Sequence, residues 1–579
     1  MKYQQHSGER AAVILSACLA ALAACTGKIG DPGASAPVST TAALCVAGTP
    51  ATQDPGPAFI RRMTGIEYDN TVRDLLGATT PVSGSFPTEE VVLGFNNNAA
   101  ALTASPALVE QYMMAAEQLA TTAVATNMSN IVPCDPAAAG ADACEQQFIA
   151  AFGQKAYRRP LGTDDTATLT ALFDAGKATD FQTGVRLVIE AVLQSPRFLY
   201  RVEMGLSPTA TDPTLHVVDN STSPPTNLTT QVVRLDDWEM ASRLSYMLWH
   251  SMPDDTLLAA AAAGKLSQPA DIASQVQRML QDPKARAMVA DFHDRWLRTG
   301  EIDTVEKDAT VYPAFTTTIA GLMQQEARQF LDHAVWDGAG TLAEIFGAPY
   351  TYLNGPLASY YGVSGVSGDA FTKVALDPTQ RAGFLTQGGL LSLLAKANQT
   401  SPIYRGKFVR EQLLCQQLPP PPPNVMIKAP DLSATLTTRQ RFTQHESDPA
   451  CSGCHHLMDP IGFGFEGFDG AGIPRSTENG QPVDVSGRID NADIAGPFNG
   501  VLDLEQKLAG SGEVQSCVTT QWFRYGYGRA ETDADACSLQ ALQQQFVSGG
   551  LKITDLLVAL TQSKAFLYRR VTPPSGGTQ

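Results

Sequence analysis

The residues Cys451-Ser452-Gly453-Cys454-His455 form the motif of this chain that most clearly predicts a chemistry. Two thiols two residues apart on a helical turn can each form a thioether to one vinyl group of a haem. The histidine that follows then lies beneath the iron as its proximal ligand. The spacing therefore predicts one covalent haem c, attached to Cys451 and Cys454, with His455 as the metal ligand.

The same spacing leaves an alternative open, which is a redox-active or structural disulfide between Cys451 and Cys454 and no haem. Zinc is less favoured because only two cysteines are clustered here. The sequence contains no phosphate-binding loop, Gly-x-Ser-x-Gly elbow, zinc-protease helix or dinucleotide fingerprint. Catalytic residues therefore stay unassigned, and the enzyme class is no narrower than a possible haem-dependent oxidoreductase.

The N-terminus predicts export from the cytoplasm. An apolar run from Ala11 to Leu22 is too short to span a bilayer and fits the core of a signal peptide. It ends in Leu22-Ala23-Ala24-Cys25, which resembles a bacterial lipobox, so we expect cleavage after residue 24 and acylation of Cys25. An ordinary signal peptide cut nearby is the alternative. Because Thr26 rather than Asp follows Cys25, sorting to the outer membrane is favoured.

Composition limits the partners of the chain. It has 41 basic and 58 acidic residues and a net charge of −17, so it repels phosphate backbones and nucleic acid is not expected as a partner. The membrane is expected to be reached only through the N-terminal lipid. The redox partner protein or small-molecule substrate of the predicted haem is not specified by the sequence.

The apolar periodicity predicts a mainly α, multi-domain helical protein with small β-insertions and a cytochrome-c-like haem segment. Residues 481–500 have the alternation and turns of such a β-element. The predicted divisions are a signal peptide (1–24), a lipid-anchored flexible tether (25–57), helical domains (58–125, 140–204, 233–360 and 500–572) and a cytochrome-c-like haem domain (378–478).

An internal similarity predicts a duplicated helical module in the domains 140–204 and 500–572. Residues 194–201 and 562–569 agree at six of eight positions and share a Phe-Leu-Tyr-Arg ending. The apolar residues of the preceding helices have the same phase in both copies. Coincidence between two amphipathic helices is the alternative, and no chemistry is assigned to these residues.

The remaining cysteines predict disulfides, because six is an even number and the expected compartment is oxidising. They are Cys45, Cys134, Cys144, Cys415, Cys517 and Cys537. Closeness in sequence favours Cys134–Cys144 and Cys517–Cys537. Elimination then leaves Cys45–Cys415.

The second axial ligand of the iron is not evident, because no Met or His follows Met458. We expect an upstream ligand, such as His445 or Met426, or an open sixth position that could bind a small molecule. A surface His445 and a packing Met426 are the alternatives. The run Gly462–Phe468 fits either a wall at the haem edge or a tight loop around core phenylalanines.

Other candidate groups have structural explanations. The pairs Asp236-Asp237 and Asp254-Asp255 fall where helices are expected to begin, a position that favours acidic side chains. His250, His293 and His333 lie alone among apolar residues of helical segments, which is typical of packing partners rather than ligands.

Several segments together resemble the secreted cytochrome-c-like proteins known from planctomycetes and myxobacteria, which are built from five consecutive domains, most of unknown function. The matching segments are Arg61–Gly77, Ala156–Leu161, Leu235–Tyr246, Thr400–Pro402, Arg405–Val409, Cys451–Gly472 and Tyr527–Arg529. The resemblance spans residues 58–572 and implies a c-type haem on Cys451, Cys454 and His455, and an export signal. It implies no substrate.

The leading hypothesis from the sequence is an extracytoplasmic, lipid-anchored haem protein in electron transfer or haem-dependent oxidoreduction. The rival is a non-redox surface lipoprotein, for binding or as a scaffold, with a Cys451–Cys454 disulfide. Covalent haem discriminates between the two.

A serine in place of Cys25 tests the lipobox. Because the sulfur accepts the lipid, we expect Cys25→Ser protein to be released in soluble form or to remain unprocessed, as checked by membrane fractionation and N-terminal mass. Cys18→Ser, within the predicted signal, is the control and should remain membrane-bound. A membrane-bound Cys25→Ser protein with an unchanged N-terminus would show that the lipobox prediction is wrong.

Overall fold

Helices make up most of the chain because apolar side chains recur every three to four residues along it. A computed structural model describes residues 55–206, 218–219, 226–227, 232–418, 430–447 and 449–570. For residues 218–219, 226–227, 443–447 and 449–451 it describes the backbone alone. Within these ranges, no helix combines the length and the apolar character that a membrane crossing requires.

The helices before residue 206 surround one hydrophobic core. They are α1 (Gly65–Leu76), α2 (Pro106–Thr126), α3 (Met128–Ile131), α4 (Pro136–Ala139), α5 (Ala141–Tyr157), α6 (Thr163–Lys177), α7 (Phe181–Gln194) and α8 (Pro196–Leu199). A capping box fixes the start of α1, because the Thr64 hydroxyl accepts from the Glu67 N–H and the Glu67 carboxylate accepts from the Thr64 N–H.

The middle of the chain continues as helices. They are α9 (Asp237–Trp249), α10 (Asp255–Ala262), α11 (Pro269–Leu280), α12 (Pro283–Trp296), α13 (Thr317–Trp336), α14 (Leu342–Gly347) and α15 (Gly355–Tyr361). The predicted helix starts are confirmed, since Asp236 and Asp254 accept backbone N–H groups as the N-caps of α9 and α10.

The C-terminal part holds the haem motif and the second copy of the duplicated module. Its helices are α16 (Gly388–Leu393), α17 (Pro402–Phe408), α18 (Thr438–Ser447), α19 (Pro449–Phe463), α20 (Gly500–Gly510), α21 (Gly512–Tyr527), α22 (Ala536–Ser548), α23 (Ile553–Gln562) and α24 (Lys564–Leu567). A π-helical turn, Val409–Leu413, continues directly from α17.

The strands are short and pair in antiparallel twos throughout the described residues. The pairs are β1 (Arg61–Arg62) with β2 (Tyr200–Arg201), β3 (Val218–Asp219) with β4 (Thr226–Asn227), β5 (Val232–Arg234) with β12 (Tyr568–Arg570), β6 (Tyr350–Leu353) with β7 (Thr372–Ala375), β8 (Thr477–Glu478) with β9 (Gln481–Pro482), and β10 (Ser486–Ile489) with β11 (Gly496–Asn499). The predicted β-element at 481–500 is confirmed by β9, β10 and β11.

The duplicated module has the same local structure in both copies. Helix α7 ends at Ser195, which caps α8, and β2 follows; helix α23 ends at Ser563, which caps α24, and β12 follows. Strand β2 pairs with β1, just before α1, and strand β12 pairs with β5, just before α9. This shared order of elements is in keeping with the predicted repeat, which stays a prediction.

A matching ion pair supports the duplication. After α5, Arg159 contacts Asp165 at 3.0 Å, and after α21, Arg529 contacts Asp535 at 2.7 Å. The spacing is six residues in both cases, and each aspartate accepts from the backbone N–H three residues before it, Gly162 at 3.0 Å and Thr532 at 2.8 Å. The same arginine–aspartate ion pair therefore lies at the turn that follows the corresponding helix in each copy.

Two hydrophobic cores organise the described residues. The smaller holds side chains from residues 63–199, and the larger holds side chains from residues 232–568. Each core also takes side chains from the other part: Tyr246 and Met252 pack into the smaller core, and Phe95 packs into the larger. A 2.9 Å hydrogen bond joins the hydroxyls of Tyr246 and Thr71. This exchange joins the parts of the chain into one compact unit.

The disulfides correct part of the sequence prediction. Cys134–Cys144 is confirmed, but Cys415 bonds to Cys517, so the predictions Cys517–Cys537 and Cys45–Cys415 are wrong. Cys537 is itself disulfide-bonded, and Cys45 lies outside the described residues. Helix α21 packs its buried face against the segment that follows the π-helical turn, which places Cys517 there and overrides closeness in sequence.

Peptide mapping of the non-reduced protein tests the corrected pairing. We expect one cross-linked species that joins the peptides of Cys415 and Cys517, because the structure places these thiols together. The Cys134–Cys144 pair serves as the internal control, since sequence and structure agree on it. A species that joins Cys517 to Cys537 instead would contradict the structure.

Candidate functional site

The haem motif lies on helix α19, so its residues have the helical geometry that the two-thioether reading requires. Cys454 is partly exposed, and a Cβ on Gly453 would meet no atom within 4 Å. The side chain of Cys451 lies outside the described part of the chain, so the Cys451–Cys454 disulfide stays untested. The motif thus begins on an open face of its helix.

The His455 imidazole is held by a buried carboxylate one helical turn later. Its Nδ1 lies 2.9 Å from Oδ2 of Asp459, and the side chain of Asp459 is 0% exposed. Because a carboxylate only accepts, we infer that Nδ1 carries the hydrogen. The other ring nitrogen, Nε2, then has its lone pair, which is the form of histidine that binds a metal.

His456 and Met458, which follow His455 on α19, have other surroundings. Nδ1 of His456 bonds to the Ser452 carbonyl oxygen at 2.8 Å, and Met458 is buried. The upstream candidates for a second axial ligand, the side chains of His445 and Met426, lie outside the described residues. The sixth ligand therefore stays a prediction.

Helix α19 is positioned by an unusually close approach of α17. A Cβ on Gly406 would overlap the carbonyl oxygen of Met458, and a Cβ on Gly462 would overlap the carbonyl oxygen of Pro402. Glycine at these two positions lets the two backbones touch, which no other residue type permits. The segment Thr400–Val409 and the haem motif are therefore one packed unit.

A buried guanidinium stabilises the turn that follows α19 in this packed unit. Arg405, 0% exposed, donates to the carbonyl oxygens of Phe465, Phe468 and Asp469 and to Oε1 of Glu466 at 2.9 Å. The planar guanidinium supplies these donors in a fixed geometry, which lysine cannot do. Arg405 thus holds the turn that follows α19.

Glu466 is shared between three partners. Besides Arg405 it accepts from Arg475 at 2.6 Å and from the Thr400 hydroxyl at 2.7 Å, both through Oε2. Such satisfaction of both carboxylate oxygens is what a buried charge requires. Thr400 and Arg405, which belong to the segments that resemble the family, therefore act by positioning the turn after α19.

A second buried arginine reaches the motif helix itself. Arg410 lies in the π-helical turn and donates from Nε to the carbonyl oxygen of Leu457 at 3.0 Å. Its other guanidinium contact is Gln416, at 2.6 Å. Burial lowers the pKa of the Arg410 guanidinium. The turn that carries His455 is therefore tied to the segment that ends in the Cys415–Cys517 disulfide.

The glycine-aromatic run after the motif is structural. Phe465 and Phe468 belong to the larger core, and a Cβ on Gly464 would press on the ring of Phe498. Of the two readings given to this run, the tight loop around core phenylalanines is the one the described contacts bear out.

The other histidines whose side chains the structure describes, His250, His293 and His333, act as packing or surface residues. Burial lowers the pKa of His293 to about 3, so it is neutral within its aromatic surroundings. Nε2 of His250 bonds to the Tyr525 hydroxyl at 3.1 Å, and Nε2 of His333 lies 2.7 Å from Nζ of Lys373. Among the described residues, no three His, Cys, Asp or Glu side chains converge as a metal site.

The described part of the motif fits a haem. A haem c needs a thiol and an imidazole on adjacent residues of one helix, and Cys454 and His455 supply them on α19. A hydrogen-bonded Nδ1 is the usual support of a metal-binding histidine. Cys451 and Cys454 would hold the group, and His455 would ligate the iron.

Sequence reasoning missed Asp459, Arg405 and Arg410 as parts of this site. The spacing of Asp459 from His455 is the one signal that could have found it, because residues four apart on a helix are neighbours. No sequence signal marks an arginine as buried, since burial follows from the packing of α17 on α19.

Five family models match consecutive parts of the chain, and each describes a protein of unknown function. They are DUF1587 at residues 61–125, DUF1595 at 144–203, DUF1592 at 235–363, DUF1588 at 381–478 and DUF1585 at 496–566. The chain therefore contains the five consecutive domains of the planctomycete-type cytochrome-c-like proteins. No curated protein and no solved structure shows a significant match.

The matched ranges place the site within this family plan. Cys454, His455, Asp459, Arg405 and Arg410 all fall in the DUF1588 match. The two copies of the predicted repeat, 140–204 and 500–572, coincide with the DUF1595 and DUF1585 matches. The C-x-x-C-H motif lies between them in sequence, in the DUF1588 match.

Removal of the Arg405 guanidinium tests the support of α19. Arg405→Met leaves buried carbonyls and part of Glu466 unpaired, so we expect the free energy of unfolding to fall by about 3 kcal/mol in urea denaturation. Arg488→Met is the control, because the Arg488 side chain is 58% exposed beside Asp490 and should change stability by less than about 1 kcal/mol. Equal effects of the two variants would contradict the role given to Arg405.

Proposed function

We propose that the protein is a c-type haem protein outside the cytoplasm that transfers electrons or carries out haem-dependent oxidoreduction. The observation that carries the proposal is the His455 imidazole, whose Nδ1 lies 2.9 Å from Oδ2 of the buried Asp459, a support of the kind that metal-binding histidines have. This arrangement sits in the C-x-x-C-H motif of the cytochrome-c-like DUF1588 domain.

When bound, the haem supplies a one-electron couple at its iron. The chain contributes the attachment and the geometry. Cys451 and Cys454 anchor the porphyrin, His455 ligates the iron, and Asp459 fixes the ring orientation and tautomer. Arg405 and Arg410 hold the backbone of the same helix. Electron transfer needs no further side chain at the iron, whereas oxidoreduction needs an open sixth position.

The same proposal includes the location. A lipobox that ends at Cys25 anchors the mature chain to a bacterial membrane, with the outer membrane favoured, and thioether attachment of haem takes place in the same compartment. The disulfides Cys134–Cys144 and Cys415–Cys517 are in keeping with an oxidising environment.

A second candidate is binding of a small molecule without redox chemistry. A cavity of about 370 Å³ is lined by residues of both the DUF1592 and DUF1588 matches, a kind of position where ligand sites are common. Its wall includes Glu326, whose pKa is raised by burial, and Tyr361, whose hydroxyl donates to Glu326 at 2.7 Å. This observation favours the binding lipoprotein if haem is absent.

Haem staining decides between the candidates. The protein is expressed with a c-type maturation system and run on a denaturing gel, where covalent haem stays with the chain. We expect the wild type and His456→Ala to stain, because Nδ1 of His456 is already bonded to the Ser452 carbonyl oxygen, and Cys451→Ala with Cys454→Ala to lose the stain. An unstained wild type with Cys451 and Cys454 oxidised to each other would overturn the redox function. A spectral response to added cyanide would further indicate an open sixth position.

A further inference from the structure

Asp459 is the one residue of the site whose burial and charge go beyond what attachment of a haem requires. Its side chain is 0% exposed, and its Oδ2 accepts from His455. Its other oxygen, Oδ1, is buried and has no hydrogen-bond partner. Among the described residues no Arg or Lys forms an ion pair with it. The negative charge of this carboxylate is therefore directed at the imidazole.

Burial of such a carboxylate lowers the stability of the fold unless neighbouring groups compensate its charge. Burial of a carboxylate with a single partner and an unpaired oxygen costs several kcal/mol relative to water. Asp535, which is also 0% exposed, shows how a buried carboxylate is usually compensated, since both of its oxygens accept from the Arg529 guanidinium. Asp459 lacks such an arginine partner, which points to a role other than stabilising the fold.

The backbone around Asp459 is fixed on both sides of the turn. The carbonyl of Leu457 is held by Arg410 at 3.0 Å, and the carbonyl of Met458 abuts Gly406. Pro460 follows directly and restricts the backbone further. The carboxylate therefore keeps its place relative to the imidazole and does not follow the fluctuations of an exposed helix.

We propose that Asp459 is a positioning residue that lowers the reduction potential of the haem iron through His455, an inference that rests on the proposed function. A carboxylate bonded to Nδ1–H makes the imidazole a stronger donor through Nε2. A stronger donor and a nearby negative charge both favour ferric over ferrous iron, because the ferric state carries one more positive charge. The site is thus biased toward the oxidised haem.

The midpoint potential of the haem-loaded full-length protein tests this role. Asp459→Asn keeps the size and one hydrogen-bond acceptor but removes the charge. We expect its equilibrium for reduction to rise at least tenfold, which is 59 mV for a one-electron couple, in a spectroelectrochemical titration. The stretching frequency of the iron–histidine bond in the ferrous protein should fall at the same time, because the imidazole donates less.

Asp535→Asn is the matched control, as it removes the charge of an equally buried aspartate in the DUF1585 match. It should lower stability and leave the potential unchanged. If Asp459→Asn accumulates without haem, Asp459→Glu and Asp459→Ser give the same comparison, with the potential near wild type for Glu and raised for Ser.

The outcomes separate the two hypotheses. A stained wild type whose potential and iron–histidine frequency are unchanged by Asp459→Asn would overturn the role of Asp459 and leave the proposed function intact. A wild type without covalent haem would overturn the proposed function, and the role of Asp459 with it.

Discussion

The backbone contact between α17 and α19 is the constraint on which the candidate site depends. It exists because Gly406 and Gly462 have no side chains, so carbonyl oxygens of each helix lie against the other helix. Around that contact, Arg405 binds the turn beyond α19 and Arg410 binds the turn that carries His455. The carbonyl of Leu457 is thereby held by Arg410, and the carbonyl of Met458 lies against Gly406. The carboxylate of the next residue, Asp459, bonds to His455. The packing of α17 on α19 thus sets the orientation of the His455 imidazole ring.

The sequence predicted those parts of the molecule that follow from local patterns. Helical periodicity predicted the mainly α fold, a shared Phe-Leu-Tyr-Arg ending predicted the repeat, and the C-x-x-C-H spacing predicted the candidate ligands. Asp236 and Asp254 were predicted at helix starts because capping depends on neighbours in sequence. Each of these signals lies within a few residues of the feature it describes.

The parts that were missed depend on long-range packing. The partner of Cys517 lies 102 residues away, and loop-closure entropy favours a nearby cysteine by only about 1 kcal/mol, which packing of α21 easily overrides. Arg405 and Arg410 look like surface residues by type, because arginine is rarely buried unless it is paired. Asp459 differs, since its spacing from His455 was visible, but its complete burial was not.

The pairing of β5 with β12 across the C-x-x-C-H motif has a consequence for biogenesis. Strand β5 ends at Arg234, and its partner β12 begins at Tyr568, close to the end of the described chain. A chain that is exported from its N-terminus can form the β1–β2 pair early, but the β5–β12 pair must wait for nearly the last residues. The C-x-x-C-H motif emerges during that interval. If haem is attached as proposed, the attachment machinery would meet Cys451 and Cys454 after the β1–β2 pair can form and before the β5–β12 pair can.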